Sequence, residues 1–246
     1  MTGFSKRLTG DAKICLKPFV AVIAVGALLL SFTDGYAASK KKGEKPAAQV
    51  ETVQNKIHNP DEAVSDWQTA LQYLKDGNKR FTENRTITRN TNTKDREILK
   101  DGQKPFAVVV TCSDSRVSPE IYFDQKLGDI FVIRNAGNIA EPAVLGSIEY
   151  AVEHLKTPLV IVVGHSRCGA VTGAFSSNEE NHLPENLQTI MSAIKPAIDG
   201  CKSVDDAIHA NVKNVVKQVK ENKIVSHEKA TVVGAYYNIE SGEVSF

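Results

Sequence analysis

Four continuous apolar runs, rich in valine and isoleucine, constrain the fold more than any other feature of this sequence. They cover residues 106–111, 130–133, 159–163 and 231–236. A strand with one face in water alternates apolar and polar residues, whereas a strand covered on both faces is apolar throughout. The runs therefore predict parallel β-strands in the centre of a sheet.

Three segments with a helical spacing of apolar residues lie between these runs, at 142–155, 185–198 and 204–222. Helices that connect parallel strands cross over the faces of the sheet. The predicted fold class is therefore α/β, with a mainly parallel central sheet flanked by helices. Residues 238–242 indicate a turn into a short final strand at 243–246, which we expect to be an antiparallel edge strand.

The first 38 residues have the three parts of a secretory signal peptide. Cationic residues come first, an apolar run follows at 19–32, and small residues surround Ala37 and Ala38. The apolar run is shorter than the roughly 18–20 residues that cross a bilayer, which favours a cleaved signal over a retained anchor. We therefore expect residues 1–38 to be removed, and the exported mature protein to be periplasmic or secreted, without stable membrane insertion.

Residues 39–59 are polar and lack an apolar period, which is typical of a solvated linker. Asn59 followed by Pro60 then indicates the start of a helix with apolar residues at helical spacing. We predict an N-terminal helical arm at 60–84, whose apolar face packs against either the main domain or a second subunit. With this arm, residues 60–246 form one domain, as expected for a chain of this length.

The charge of the chain restricts the kinds of partner that it can attract over a distance. Its 246 residues include 30 Lys and Arg against 29 Asp and Glu, a formal net charge of +1. A chain without a broad field of one sign does not recruit nucleic acid or anionic lipid by electrostatic attraction. We expect a small-molecule substrate and no nucleic acid partner.

Two polar clusters follow directly after two of the apolar runs. Cys-Ser-Asp-Ser-Arg lies at 112–116, and Gly-His-Ser-Arg-Cys-Gly lies at 164–169. Ligands bind at the carboxyl ends of strands in open parallel sheets. If the two strands are neighbours, the thiolate of Cys112 can meet the imidazole of His165 and the thiolate of Cys168. Two sulfurs and one imidazole nitrogen form a known ligand set of catalytic zinc, with the fourth position open.

Cysteine usage favours metal binding over disulfides. Once the signal is removed, three cysteines remain, Cys112, Cys168 and Cys201. An odd number of cysteines in an exported chain disfavours a disulfide framework. Cys201 lies far from both clusters, and we expect it to be structural or free.

The paired signatures Cys-Ser-Asp-Ser-Arg and His-x-x-Cys-Gly resemble those of the β-class carbonic anhydrases, and the likeness extends over residues 106–173. The resemblance implies a carbonate dehydratase that interconverts carbon dioxide with bicarbonate and a proton. It also implies one zinc ion per subunit, bound by Cys112, His165 and Cys168. Asp114 and Arg116 would form a dyad beside the open coordination position.

Each member of the dyad has a role that its chemistry suits. Asp114 can accept a hydrogen bond from the attacking water and orient it, while Arg116 can hold the carboxylate through a bidentate pair. In a closed resting state, Asp114 would itself be a metal ligand. The subgroup that closes at low pH carries a tryptophan three residues before the first zinc cysteine, where this chain has Val109. The sequence therefore resembles the open-site subgroup.

The resemblance also implies a substrate pocket and an assembly. Gln103 and Tyr150 resemble positions that line the substrate pocket, and Gly169 is expected to contact substrate as well. Members of the family are oligomers, which implies a homodimer or a larger homo-oligomer. We expect the amphipathic segment around Trp67 to embrace the partner subunit.

Three other functions remain as alternatives. Residues 164–168 approximate the Gly-x-Ser-x-Gly elbow of a serine hydrolase, although Cys168 replaces the last glycine. A non-catalytic zinc-binding protein could retain the same scaffold. An enzyme of the same fold could also hydrolyse another small heterocumulene such as carbon disulfide, and the motifs do not distinguish it from a carbonic anhydrase.

Overall fold

The structure, a computed structural model, describes residues 57–59, 62–87, 92–176 and 183–246. Contacts divide the chain into Met1–Glu51 and Thr52–Phe246, and every described residue belongs to the second unit. The predicted signal peptide and most of the predicted linker lie outside the described residues. Within those ranges, no helix combines the length and the apolar character needed to span a bilayer.

A five-stranded sheet with the order β2-β1-β3-β4-β5 forms the centre of the domain. Its first four strands are parallel, and β5 runs antiparallel to β4 at one edge. The mainly parallel sheet and the antiparallel C-terminal edge strand are therefore confirmed. The strands are β1 Ala107–Cys112, β2 Ile130–Asn135, β3 Leu159–His165, β4 Thr231–Tyr237 and β5 Val244–Ser245.

Helices cover both faces of this sheet, as expected for an α/β fold. The three helices predicted between the apolar runs are present, and short helices that the periodicity did not reveal lie among them. The helices are α1 Trp67–Thr82, α2 Thr93–Leu99, α3 Pro119–Tyr122, α4 Pro142–Glu153, α5 Gly169–Ser176, α6 Glu185–Ile198, α7 Val204–Glu221 and α8 Lys223–His227, with a 3-10 turn at Ala136–Asn138.

The two central strands are buried at every position, which explains why they have no polar alternation. On one face they pack in a core that includes Leu74 and Ile194. On the other face they pack in a second core that includes Ile148 and Val215. Two covered faces hold the carboxyl ends of β1 and β3 rigidly side by side, and this is where the polar clusters begin.

The predicted start of the helical arm at residue 60 is wrong. Residues 62–66 are not helical, and α1 begins at Trp67. Asp66 has extended backbone angles, φ −111° and ψ 137°, and its side chain accepts a hydrogen bond from the Thr69 N–H at 2.7 Å. The helix starts there because a carboxylate at this position satisfies an amide that has no partner inside the helix.

The main domain of the same chain supplies the packing surface for α1. Leu74 is fully buried in the core of one sheet face. Arg80 and Asp124 form a buried ion pair at 2.6 Å, and the Asn78 side chain bonds to backbone groups of the C-terminal turn and of α3. Trp67, at the start of the helix, stays partly exposed. The apolar face of α1 therefore packs largely against the main domain of the same chain.

Candidate metal centre

The carboxyl ends of β1 and β3 bring the two polar clusters together. The strands are parallel neighbours, with Thr111 paired to Val163. Cys112 is the last residue of β1 and His165 is the last residue of β3, so both side chains leave the sheet at the same edge. Cys168 follows His165 after a short turn. The condition for the two clusters to meet, that their strands are neighbours, is therefore fulfilled.

Three donor atoms converge at this edge of the sheet. The ligand atoms of Cys112, His165 and Cys168 all lie within 4.8 Å of one another, and all three residues are buried. The two sulfur atoms are 4.0 Å apart. Two sulfurs and one nitrogen around one point form the donor set of a catalytic zinc site.

The imidazole of His165 is oriented so that its Nε2 atom can bind a metal ion. Its Nδ1 atom lies 3.0 Å from the backbone carbonyl of Ser166, and a carbonyl only accepts, so Nδ1 carries the proton and Nε2 carries the lone pair. Nε2 is buried and has no hydrogen-bond partner among the described residues. A buried polar atom without a partner is costly, and a metal ion at this position satisfies it. The residues therefore fit a zinc ion.

The pairing of the two cysteines favours the thiolate of Cys112, which is the form that binds metal, and raises the pKa of the Cys168 thiol, which donates the hydrogen bond between them. A hydrogen bond from the Cys168 thiol lowers the pKa of Cys112 to about 4, and the Gly137 N–H lies 3.5 Å from the same sulfur. The carbonyl of Cys168 accepts a helical hydrogen bond from the Thr172 N–H at 2.9 Å. Cys168 therefore lies at the N-terminus of α5, where the helix dipole favours negative charge.

Asp114 and Arg116 form a clamp beside the three ligands. The Nε atom of Arg116 donates to Asp114 Oδ1 at 2.9 Å, and an Nη atom donates to Oδ2 at 2.6 Å. The Arg116 backbone N–H donates to Oδ1 as well. These bonds hold the pKa of the Asp114 carboxyl well below its usual range. With both oxygens bound to Arg116, the carboxylate is not part of the three-residue ligand group.

Arg134 fixes the backbone of the first ligand loop, and the sequence analysis missed it. Its Nε atom donates to the Cys112 carbonyl at 3.0 Å, and an Nη atom donates to the Asp114 carbonyl at 2.6 Å. Arg134 lies opposite Thr111 on the neighbouring strand. An arginine inside a Val- and Ile-rich strand was the available signal, because such a charge needs partners at the strand end.

Known carbonic anhydrases resemble this chain in sequence and in fold. The sequence profile of the family described as carbonic anhydrase matches residues 107–244. A carbonic anhydrase of Mycolicibacterium smegmatis is 40% identical over 186 residues, which are 71% of this chain and 90% of that protein. A Coccomyxa β-carbonic anhydrase in complex with acetazolamide has a TM-score of 0.58 at 25% identity, covering 74% of this chain and 86% of that one. A tetrameric β-carbonic anhydrase of Sordaria macrospora has a TM-score of 0.55 at 28% identity, covering 63% and 86%.

The chain belongs to the β-class carbonic anhydrases. The matched segment contains the three ligands and both residues of the dyad. In this β-class fold, Gly169 is the first residue of α5, with open space beside its Cα atom. Gly169 therefore lies next to the ligand Cys168 and leaves room there for a small molecule.

Gln103 and Tyr150 of this carbonic anhydrase lie at the amino end of the sheet, away from the metal centre at its carboxyl end. Gln103 is exposed and precedes the first residue of β1. Tyr150 lies near the end of α4, and its ring contacts Phe131 at the start of β2, with ring centroids 6.3 Å apart. A strand of six residues is roughly 20 Å long. Within one chain, the structure does not bring these two residues to the metal centre.

The serine hydrolase alternative finds no support in the geometry. The Ser166 hydroxyl accepts a hydrogen bond from the backbone N–H of Ile239 at 2.9 Å. The neighbouring His165 directs its Nδ1 proton to a backbone carbonyl and its Nε2 atom toward the two sulfurs. Ser166 therefore has no histidine base among its described hydrogen-bond partners.

Proposed function

We infer that this chain is a zinc-dependent carbonic anhydrase, which converts carbon dioxide and water reversibly into bicarbonate and a proton. The observation that carries this function is the group of three buried ligand atoms within 4.8 Å of one another. The Asp114–Arg116 clamp lies beside that group. The family match and the relatives named above support the same activity.

When bound, zinc supplies a Lewis acid whose open fourth position lowers the pKa of a water, so that hydroxide forms near neutral pH. The chain positions the reactants. Asp114 is ionised, so its carboxylate can only accept hydrogen bonds. It accepts a hydrogen bond from the attacking oxygen, so that a lone pair of that oxygen is directed at the carbon of carbon dioxide. Arg116 keeps the carboxylate in that orientation by holding both of its oxygens.

We propose that the resting site is open. Support comes from the bidentate pair, because a carboxylate bound to Arg116 through both oxygens is not available as a metal ligand. Val109 is fully buried in β1, at the position where the subgroup that closes its site has a tryptophan. Both observations favour the open-site subgroup.

We propose that a second copy of this chain completes the substrate pocket with Gln103 and Tyr150. Support comes from their position at the amino end of the sheet and from the exposure of Tyr150, at 47%. Strand β2 is also an edge strand whose apolar residues are only half-buried. A homodimer is the smallest assembly that uses this surface.

Mixed oligomers test the shared pocket. His165→Ala removes a metal ligand, and Tyr150→Ala removes a pocket residue, so each variant alone should be impaired. When the two variants are refolded together, an intact metal ligand set and an intact Tyr150 can meet across the interface. Activity should therefore recover in the mixture. A mixture that is no more active than its components contradicts the shared pocket.

We also propose that residues 1–38 direct export and are then removed. The order of cationic, apolar and small residues supports this proposal. N-terminal sequencing of the protein from an extracytoplasmic fraction should find a start at residue 38 or 39. A full-length chain confined to the cytoplasm would contradict export.

Stopped-flow measurement of carbon dioxide hydration tests the function, with zinc content determined on the same sample. We expect catalysis and about one zinc per chain. His165→Ala should lose both metal and rate. A zinc-loaded protein that hydrates carbon dioxide no faster than buffer overturns the function. If the same protein hydrolyses carbon disulfide faster than it hydrates carbon dioxide, its substrate is carbon disulfide.

A further inference from the structure

Gly137 holds one sulfur of the metal centre from the side of β2. It lies in the 3-10 turn Ala136–Asn138, directly after that strand, and its N–H donates to Cys112 Sγ at 3.5 Å. An N–H donor draws electron density from a thiolate and fixes its direction. Loss of such a partner of a metal ligand typically weakens metal binding by about 10- to 100-fold.

The conformation of Gly137 leaves little freedom for this N–H. Its φ angle is +75°, in the left-handed region that glycine tolerates. A Cβ atom at this position would lie 2.7 Å from Ile194 Cδ1 and 3.3 Å from Ala170 Cβ. Helices α5 and α6 therefore close around the turn, and only glycine fits there.

Asn211 of α7 holds the same turn through the next peptide group. Its Nδ2 atom donates to the Gly137 carbonyl at 2.9 Å, and the residue is buried, with 1% of its surface exposed. Because a carbonyl only accepts, the amide nitrogen must be the atom that faces it. This bond restrains rotation about the Gly137 backbone angles, and those angles set the direction of its N–H.

We propose that Asn211 is a positioning residue of the metal centre, which acts through Gly137 on the sulfur of Cys112. This inference rests on the proposed zinc site. Asn211 is 43 residues beyond the last ligand in the sequence and contacts none of the three ligands in its described hydrogen bonds. Its side chain is a buried amide on a helix whose other buried residues are all apolar.

Cobalt spectroscopy of Asn211→Leu in the full chain tests this role. The two side chains are similar in volume, and leucine cannot donate to the Gly137 carbonyl. With Co²⁺ in place of zinc, the cysteine-to-cobalt charge-transfer band should move to lower energy, because the thiolate loses stabilisation of its lone pairs. Release of the metal to a chelator should be about 10- to 100-fold faster.

Val215→Ala is the matched control. Val215 is buried on the same helix, one turn further along. It packs in the core that includes Ile148, whereas Cys112 and Cys168 belong to the core on the other face of the sheet. Loss of its two methyl groups destabilises the protein without touching the Gly137 turn, so the band should stay in place. An equal shift in this control would indicate general loosening and overturn the proposal.

The outcome does not depend on how much of the variant folds. Band energy reports only folded, metal-loaded molecules, so a low yield of the variant does not mask the result. In ¹¹³Cd-loaded wild-type protein, a scalar coupling between the cadmium and the Gly137 amide proton should be observed. Absence of that coupling, or an unshifted band in Asn211→Leu, overturns the proposal. A wild-type protein without a cysteine-to-cobalt band overturns the zinc site itself.

Discussion

At the residue scale, the chemistry of the site depends on one carboxylate that three N–H groups of Arg116 hold in place. The backbone and the guanidinium of Arg116 leave Asp114 ionised and fixed in direction. Charge-assisted bidentate pairs of this kind combine strength with orientation. The dyad therefore controls the orientation of the attacking oxygen, while the three ligands control whether metal is bound.

Asp114→Asn separates these two roles. The amide has the shape of the carboxylate, so zinc content should stay near one per chain. The rate of carbon dioxide hydration should fall about a hundredfold or more, because the amide nitrogen can donate to the attacking oxygen and misorient its lone pair. Glu240→Gln is the control, since Glu240 is 84% exposed in a loose pair with Arg167. A zinc-loaded Asp114→Asn with a near wild-type rate would show that the dyad is not part of the mechanism.

Arg116→Ala should have a different signature. The released Asp114 carboxylate can occupy the open metal position, so the rate should fall by more than the roughly 10- to 100-fold expected for one lost hydrogen bond to a charged group. The loss should deepen as the pH falls from alkaline values, because hydroxide then competes less well for the metal. Rate profiles of both proteins against pH measure this difference. Parallel profiles would contradict displacement by Asp114.

At the scale of elements, the start of α1 shows how two local signals compete. Asn59-Pro60 and Asp66 both mark the beginning of a helix. His58 is buried between the rings of Tyr73 and Phe106. Residues 62–66 are not helical, and the helix begins at the later signal.

Asp66→Ala should lower the free energy of unfolding by about 1 kcal/mol, because the Thr69 N–H loses the acceptor of its capping bond. Urea denaturation measures the change. Asp66→Asn keeps a side-chain oxygen at the cap and should stay close to wild type. If Asn destabilises as much as Ala, the capping bond does not carry the effect.

At the scale of the whole molecule, a buried pair ties the N-terminal segment to the sheet. His58 Nδ1 lies 2.8 Å from Asp129 Oδ1, and Nε2 lies 3.0 Å from the Glu62 carbonyl. Burial opposes protonation, but the hydrogen bond and charge of Asp129 and the Glu62 carbonyl outweigh it and raise the pKa of His58. With acceptors on both ring nitrogens, the imidazolium is the form that fits this position.

His58→Phe should therefore change the pH dependence of stability. A raised pKa in the folded state stabilises the fold fully below the unfolded value of about 6.5, and this stability is lost as the pH rises through the folded pKa. The difference in unfolding free energy between wild type and variant should shrink as the pH rises above about 6.5. Parallel stability curves for wild type and His58→Phe would contradict an ionised His58.

The sequence by itself determined the parallel sheet and the metal ligands of this protein. A strand that is buried on both faces must be apolar throughout, and Cys112 and His165 lie at the last positions of two such strands, so the local pattern places both ligands at the carboxyl end of the sheet. Only the tertiary structure decided the contacts between distant segments. His58 is 71 residues from Asp129, and Asn211 is 74 residues from Gly137. Such pairs have no periodicity in the chain, because they form only when packing brings unrelated elements to the same place.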